Sequence, residues 1–382
     1  MQVTKLKFLG VPLLLFFTVS CNSSVKLWGK KTAHEIYADK IENSPEGKEW
    51  ITVSKNTLKV PYTIQLPYSH FGHFPGEQPK ALTLEFTARQ GEKIIIDLNK
   101  NSADSSVLYV DLFSKEGTDI THVESADTAQ TQFDFDADET TTYLLRLQPE
   151  LYQTSTYNLS LSVAPSLDFP VSGSKAKVGS FWGDDRDAGK RKHEGIDIFA
   201  PKLTPAIAAA DGYVTGVNDG GIGGKTVWMR VADRNIHLYY AHLDKQLVDD
   251  GRRVKKGDTL GLVGNTGNAK YTPSHLHFGI YTNNGPIDPW PFVNKIIRSA
   301  PVVASKDLNI GLRLKKPIVN KTTVINDELL IPLAVTGEGY IAELPDGKII
   351  STPFKSVKQV KLDNLATHKE IVTVDPKINS NN

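Results

Sequence analysis

Ser274-His275-Leu276-His277-Phe278, read with His193-Glu194-Gly195-Ile196-Asp197 upstream, decides how the middle of this chain folds and what it can hold. Side chains alternate faces along a β-strand with period two, so the histidines of an HxH step leave the strand on one side. An HxxxD pair in extended backbone also shares a face, and it adds a further imidazole nitrogen and a carboxylate oxygen. Gly195 beside β-branched Ile196 and Ile198 favours extended structure over helix. The helical HExxH arrangement is excluded, because its fifth place is Asp197. Imidazole and carboxylate without thiolate is a donor set suited to catalytic zinc, whose sites keep one position open for water. These residues point to a hydrolytic metal centre. A cupin also offers HxH, but it wants a glutamate a few residues on, and Phe278 to Asn284 contains none.

Two more histidines lie between these motifs. Ile236-His237-Leu238-Tyr239-Tyr240-Ala241-His242-Leu243 reads as a strand with His242 at its end, on the face of Leu238 and Tyr240. His237 has the opposite parity and is expected to point away as a structural or surface histidine. The run Gly257-Asp258-Thr259-Leu260-Gly261-Leu262-Val263-Gly264-Asn265-Thr266-Gly267 is punctuated by glycine like a tight strand and turn pair leading to His275 and His277.

Outward from this centre, 382 residues imply two to four domains, and 40% hydrophobic with 23% charged residues is an ordinary globular composition. A net charge of +1 provides no electrostatic case for nucleic acid. The single cysteine, Cys21, excludes a disulfide within the chain. Lys5 and Lys7 precede an apolar run from Phe8 to Val19, a signal-peptide layout too short to span a bilayer. Thr18-Val19-Ser20-Cys21 resembles a bacterial lipobox, with Thr18 where leucine is usual. The expectation is a lipoprotein-type leader over 1–20, a tether over 21–48, and a lipid on Cys21 that anchors the chain to a membrane of the bacterial cell envelope.

Short β-rich runs separated by turn residues fill 49–165, including Leu82-Thr83-Leu84-Glu85-Phe86 and Tyr157-Asn158-Leu159-Ser160-Leu161. Their spacing predicts a β-sandwich, and it resembles the jelly-roll modules found beside secreted bacterial peptidases. His70 and His73, around Phe71-Gly72 and just before Pro75, read as turn residues. Residues 166–295 carry the metal-binding motifs. Beyond them, 300–373 is again strand-like, with a Pro345-Asp346-Gly347 turn, and its length suits a small β-barrel of the Src-homology-3-like kind. The tail over 374–382 is expected to be disordered. The fold class is therefore mostly β.

The words HEGIDIFAP from His193, AAADGYV from Ala208, YYAHL from Tyr239, VKKGDTLGLVGNTG from Val254, SHLHFGIY from Ser274 and IDPWPF from Ile287 follow one another in a familiar order. Over roughly residues 180–293 the chain resembles the lysostaphin/LytM-type (β-lytic) zinc metallopeptidases, metallopeptidase family twenty-three. That resemblance implies a compact antiparallel β domain with a zinc groove, a Zn2+ cofactor and hydrolysis of peptide bonds in peptidoglycan. It carries the zinc ligands onto His193, Asp197 and His277, and the two non-ligand active-site histidines onto His242 and His275. Some members instead cut glycine-rich extracellular proteins. Degenerate members lacking zinc ligands serve as wall-binding scaffolds that activate other hydrolases. Every matching position is kept here, which favours the enzyme. The chain departs from the family pattern in a longer loop, Asn268 to Ser274, and in Gly279, where a glutamate is frequent.

Overall fold

The computed structural model describes residues 31–100, 107–126, 132–320, 323–325, 329–344 and 347–362. The leader over 1–20, Cys21 and the tail over 374–382 lie outside the described residues, as does 363–373 of the expected barrel.

Helix Ala33–Ile41 stands within the expected tether, and helix Pro45–Thr57 runs from its end into the segment expected to open the sandwich. Thr32 and Glu35 form a reciprocal capping box, and Ser44 caps the second helix ahead of Pro45. Trp50 holds the pair down: it is fully buried, and its indole N–H donates to the Pro149 carbonyl at 2.8 Å. Trp50 and polar contacts of His34 and Ser54 to Gln148 and Arg146 do this instead of a periodic apolar stripe, so the sequence shows little of it.

Strand Ser155–Pro165 buries every second residue from Ser155 to Val163, the mark of one face on a core. It belongs to a sheet in which Tyr68–Phe74, Ser155–Pro165, Glu92–Lys100 and Gln132–Asp136 lie side by side. Facing it, Leu82–Ala88, Thr141–Pro149 and Leu108–Glu116 supply Leu84, Leu145 and Leu112 to one shared core with Ile94, Leu159 and Leu161. His70 and His73 lie within strand Tyr68–Phe74, which corrects their reading as turn residues. Gly72 misled: a Cβ there would stand 2.2 Å from the Tyr157 ring, so the glycine serves close packing and not a turn.

The C-terminal strands depart from a free-standing barrel. Val357–Val360 pairs with Gly311–Leu314, which pairs with Leu329–Val335, and the ladder continues to Gly339–Glu343 and Ile349–Pro353. Among the described residues no ladder closes the circle. Leu329–Val335 also pairs with Tyr68–Phe74, through Phe71↔Val335 and Gly72↔Ala334, so it extends the sandwich sheet. An otherwise open strand edge is satisfied in this way, and single-chain patterning does not reveal such a partner.

Between them, the middle unit is built on a ten-stranded sheet. Its central run is Lys177–Ser180, Ile196–Phe199, His275–Thr282, His237–Gln246 and Gly224–Val231, antiparallel throughout. Ile196, Ile198, Leu238, Tyr240, Leu276, Phe278 and Ile280 fill the core on one face. Residues of the other parity, Asp197, His277 and Tyr239 among them, line a groove of about 550 Å³. This unit docks on the sandwich through Arg234, ion-paired with Asp136 and Asp138, and through Phe292 packed over Gly91.

Candidate metal centre

The ladder places Asp197 directly opposite His277, and His277 opposite Ala241. His193 enters from just before the first of these strands. Its Nε2 lies 2.9 Å from His277 Nδ1 and 3.0 Å from Asp197 Oδ1, and His277 Nδ1 lies 3.0 Å from the same oxygen. Gly195 makes this approach possible, since a Cβ there would meet the His277 imidazole at 2.7 Å. His193 Nδ1 donates to the Phe181 carbonyl at 2.9 Å, which leaves Nε2 as a bare acceptor.

Three donor atoms thus face one point from a triangle of about 3 Å edges. Ligands at zinc bond lengths in a tetrahedron stand roughly 3.3 Å apart, close to the spacing here. Lone pairs on nitrogen and oxygen this near repel one another unless a proton or a cation lies among them, so the donor set fits a divalent ion. Burial by itself would raise the Asp197 carboxyl, but the His193 and His277 imidazoles at 3.0 Å outweigh it and hold the group well below the usual carboxylate range. Burial pushes His277 down, so its imidazole stays neutral and able to coordinate.

His242 and His275 complete the groove. His275 Nδ1 donates to the Pro273 carbonyl at 2.8 Å, and His242 Nδ1 to the Thr266 carbonyl at 2.9 Å. Both rings therefore turn a bare Nε2 towards the groove, with centroids 5.0 Å apart. His275 Nε2 is 4.0 Å from Asp197 Oδ1. Burial, aided by the neighbouring His275 and His277, lowers His242 to about 4.

The expected face of His242 needs correction. Tyr240 and Leu238 point into the core, whereas His242 faces the groove. The register slips between Val227↔Tyr240 and Lys225↔Leu243, and His242 takes a left-handed φ of 61°. This bulge sets two residues against one and flips the parity after Ala241. His237 consequently shares the groove face, opposite Tyr281, but it does not reach the ligand cluster.

Two groove residues escaped the sequence reading. Tyr239 lies beside Gly279 in register, with its ring 5.9 Å from that of His277. Its parity with Ala241 was the available signal. Arg186 donates to Asp197 Oδ2 at 2.8 Å. Between Asp185 and Asp187 it looks like any surface cation, and no local pattern marks it.

Residues 191–289 match Peptidase family M23, and this segment belongs to that family. The chain is 36% identical over 124 residues to the L-Ala--D-Glu endopeptidase of Bacillus subtilis, covering 29% of this chain and 38% of that protein. It is 39% identical over 93 residues to the peptidoglycan DD-endopeptidase ShyC of Vibrio cholerae, covering 24% and 21%. Among solved structures, the catalytic domain of the antimicrobial peptidase lysostaphin from Staphylococcus simulans shares 31% identity at a TM-score of 0.28, covering 30% of this chain and 90% of that one. The chain spans less than two fifths of the length of either curated relative.

Proposed function

We propose that this protein is a zinc metallo-endopeptidase that hydrolyses peptide bonds in peptidoglycan crosslinks. The observation that carries the reading is the convergence of His193 Nε2, Asp197 Oδ1 and His277 Nδ1 on one point at the floor of a groove. When bound there, zinc lowers the pKa of a water to about 7 and polarises a carbonyl as a Lewis acid.

The surrounding residues then have distinct work. A neutral Nε2 on either His242 or His275 accepts the proton of the attacking water and returns it to the leaving amine. The other imidazole takes a proton from solvent at Nε2 before the attack, donates that N–H in a hydrogen bond to the oxyanion that develops on the scissile carbonyl, and gives the proton back to solvent after the carbonyl reforms. The Pro273 and Thr266 carbonyls fix both rings by accepting from Nδ1, so Nε2 is the nitrogen presented to substrate in each case. Tyr239 walls the groove next to His277.

Family membership and the two endopeptidases named above, one of them for peptidoglycan, support a cell-wall substrate. Those relatives are named for different bonds, so the bond cut here is left to experiment. A scaffold role is disfavoured by the presence of all three ligand side chains. The leader and Cys21 support export and lipid anchoring in the cell envelope, which labelling with a radioactive fatty acid tests in wild type against Cys21→Ala.

Purified chain incubated with peptidoglycan sacculi is expected to release peptide-cleaved muropeptides, identified by mass. Asp197→Ala is expected to release none. Intact sacculi after incubation with zinc-loaded wild type would refute the assignment.

A further inference from the structure

We infer that Arg186 is a positioning residue that holds Asp197 as a one-oxygen ligand and so keeps a coordination position open. The inference rests on the metal reading above, and it concerns how the centre stays reactive.

Asp185–Arg186 and Arg191–Lys192 form a small hairpin immediately before His193. Backbone bonds from Gly183 N to His193 O and from His193 N to Asp184 O stitch that hairpin to the ligand. The guanidinium reaches inward from it. Arg186 Nη2 donates to Asp197 Oδ2 at 2.8 Å and to Ser180 Oγ at 2.5 Å. Ser180 in turn donates to Asp184 Oδ2 at 2.8 Å and lies 3.2 Å from His193 Nδ1.

The two oxygens of Asp197 are therefore divided. Oδ1 faces His193 and His277 at 3.0 Å, and Oδ2 faces the guanidinium. Asp197 is 8% exposed, so water cannot readily take the place of that second partner. Without Arg186, Oδ2 would be left buried and unpaired or would swing onto the same ion. A two-oxygen carboxylate would occupy the position that a hydrolytic site reserves for water. Groups that hydrogen-bond to metal ligands typically set affinity by ten- to a hundredfold, which gives the contact a measurable weight. Arginine suits the task because the planar guanidinium fixes the directions of the two Nη2 hydrogens towards Asp197 and Ser180, where a lysine ammonium would act only as a point charge.

The test uses the full chain with Arg186→Met and Arg186→Lys. Zinc affinity is read by chelator competition, and coordination by the visible spectrum of the cobalt(II)-substituted protein. Arg186→Met is expected to bind zinc about 10- to 100-fold more weakly. Its cobalt band should weaken, as it does when a four-coordinate ion gains a ligand, and kcat should fall while KM holds. Arg186→Lys should recover part of the zinc affinity but not the wild-type cobalt band. Zinc affinity within twofold of wild type, together with an unchanged cobalt spectrum in Arg186→Met, would overturn the inference. Should Arg186→Met fail to fold, Arg186→Lys decides: a wild-type cobalt band there overturns it equally. A wild-type chain that holds zinc but cuts no peptidoglycan would sink the proposed function and leave these readings to judge Arg186 alone.

Discussion

The sandwich and the groove both bury histidines, and their surroundings use them in opposite ways. In the sandwich, His70 has its Nδ1 2.9 Å from the Tyr68 hydroxyl and its Nε2 3.3 Å from the Tyr157 hydroxyl. On the helix pair packed against the sandwich, His34 lies stacked on Trp50, with Nε2 2.7 Å from Gln148 Oε1. These nitrogens meet hydroxyls and an amide, and none of the rings lines the groove. In the groove, His193, His242 and His275 each donate Nδ1–H to a backbone carbonyl and hold Nε2 in reserve. Desolvation is common to both regions. What separates them is a lone pair without a hydrogen-bonding donor, aimed at a shared space beside a carboxylate.

The comparison is broken most severely by removing the ligands. His193→Ala and Asp197→Ala are expected to lose bound zinc and turnover together, measured by elemental analysis and muropeptide release. Next, His242→Ala and His275→Ala should keep zinc yet lower turnover by about 10²-fold or more, since only proton transfer and oxyanion support are lost. Near-normal rates in both would remove the chemical distinction between these rings and the sandwich histidines.

The sandwich side is sharpened by pH. Burial lowers His70 to about 3, below its ordinary 6.5. Between those values the unfolded chain binds a proton that the folded chain refuses. Stability present above pH 6.5 is thus lost as pH falls towards 3, by up to about 1.4 kcal/mol per pH unit. His70→Gln should flatten that acid slope in calorimetric melts while zinc content stays at the wild-type level. An unchanged slope would mean that His70 is not desolvated as described. The smallest effect is expected from His237→Ala, which shares the groove face without reaching the ligands. Its turnover should stay within about twofold of wild type, the range of a typical surface substitution, and a larger loss would extend the reactive set.

Much of this contrast is legible in sequence because period-two patterning is local. The HxH step, the HxxxD pair and Gly195 between them already place His277 and Asp197 on one sheet face. Glycine at 195 is explained by the approach of the Phe278 carbonyl and the His277 ring, contacts across more than 80 positions that no local rule supplies. Parity counting groups His242 with Leu238 and Tyr240, and it fails at a bulge whose cause is the register of a neighbouring strand. Arg186 was invisible for a similar reason: its role lies in what it touches, and its neighbours in the chain are ordinary charged residues. The helix pair and the shared C-terminal ladder rest on contacts distant in the chain, such as Trp50 with Pro149 and Phe71 with Val335.

Anomalous diffraction at the zinc edge from crystals of the full chain tests the central claim most directly. One strong peak bonded to His193 Nε2, Asp197 Oδ1 and His277 Nδ1, with His242 and His275 unbonded beside it, is the result this account predicts. A peak held by other side chains, or none in protein saturated with zinc, would contradict it.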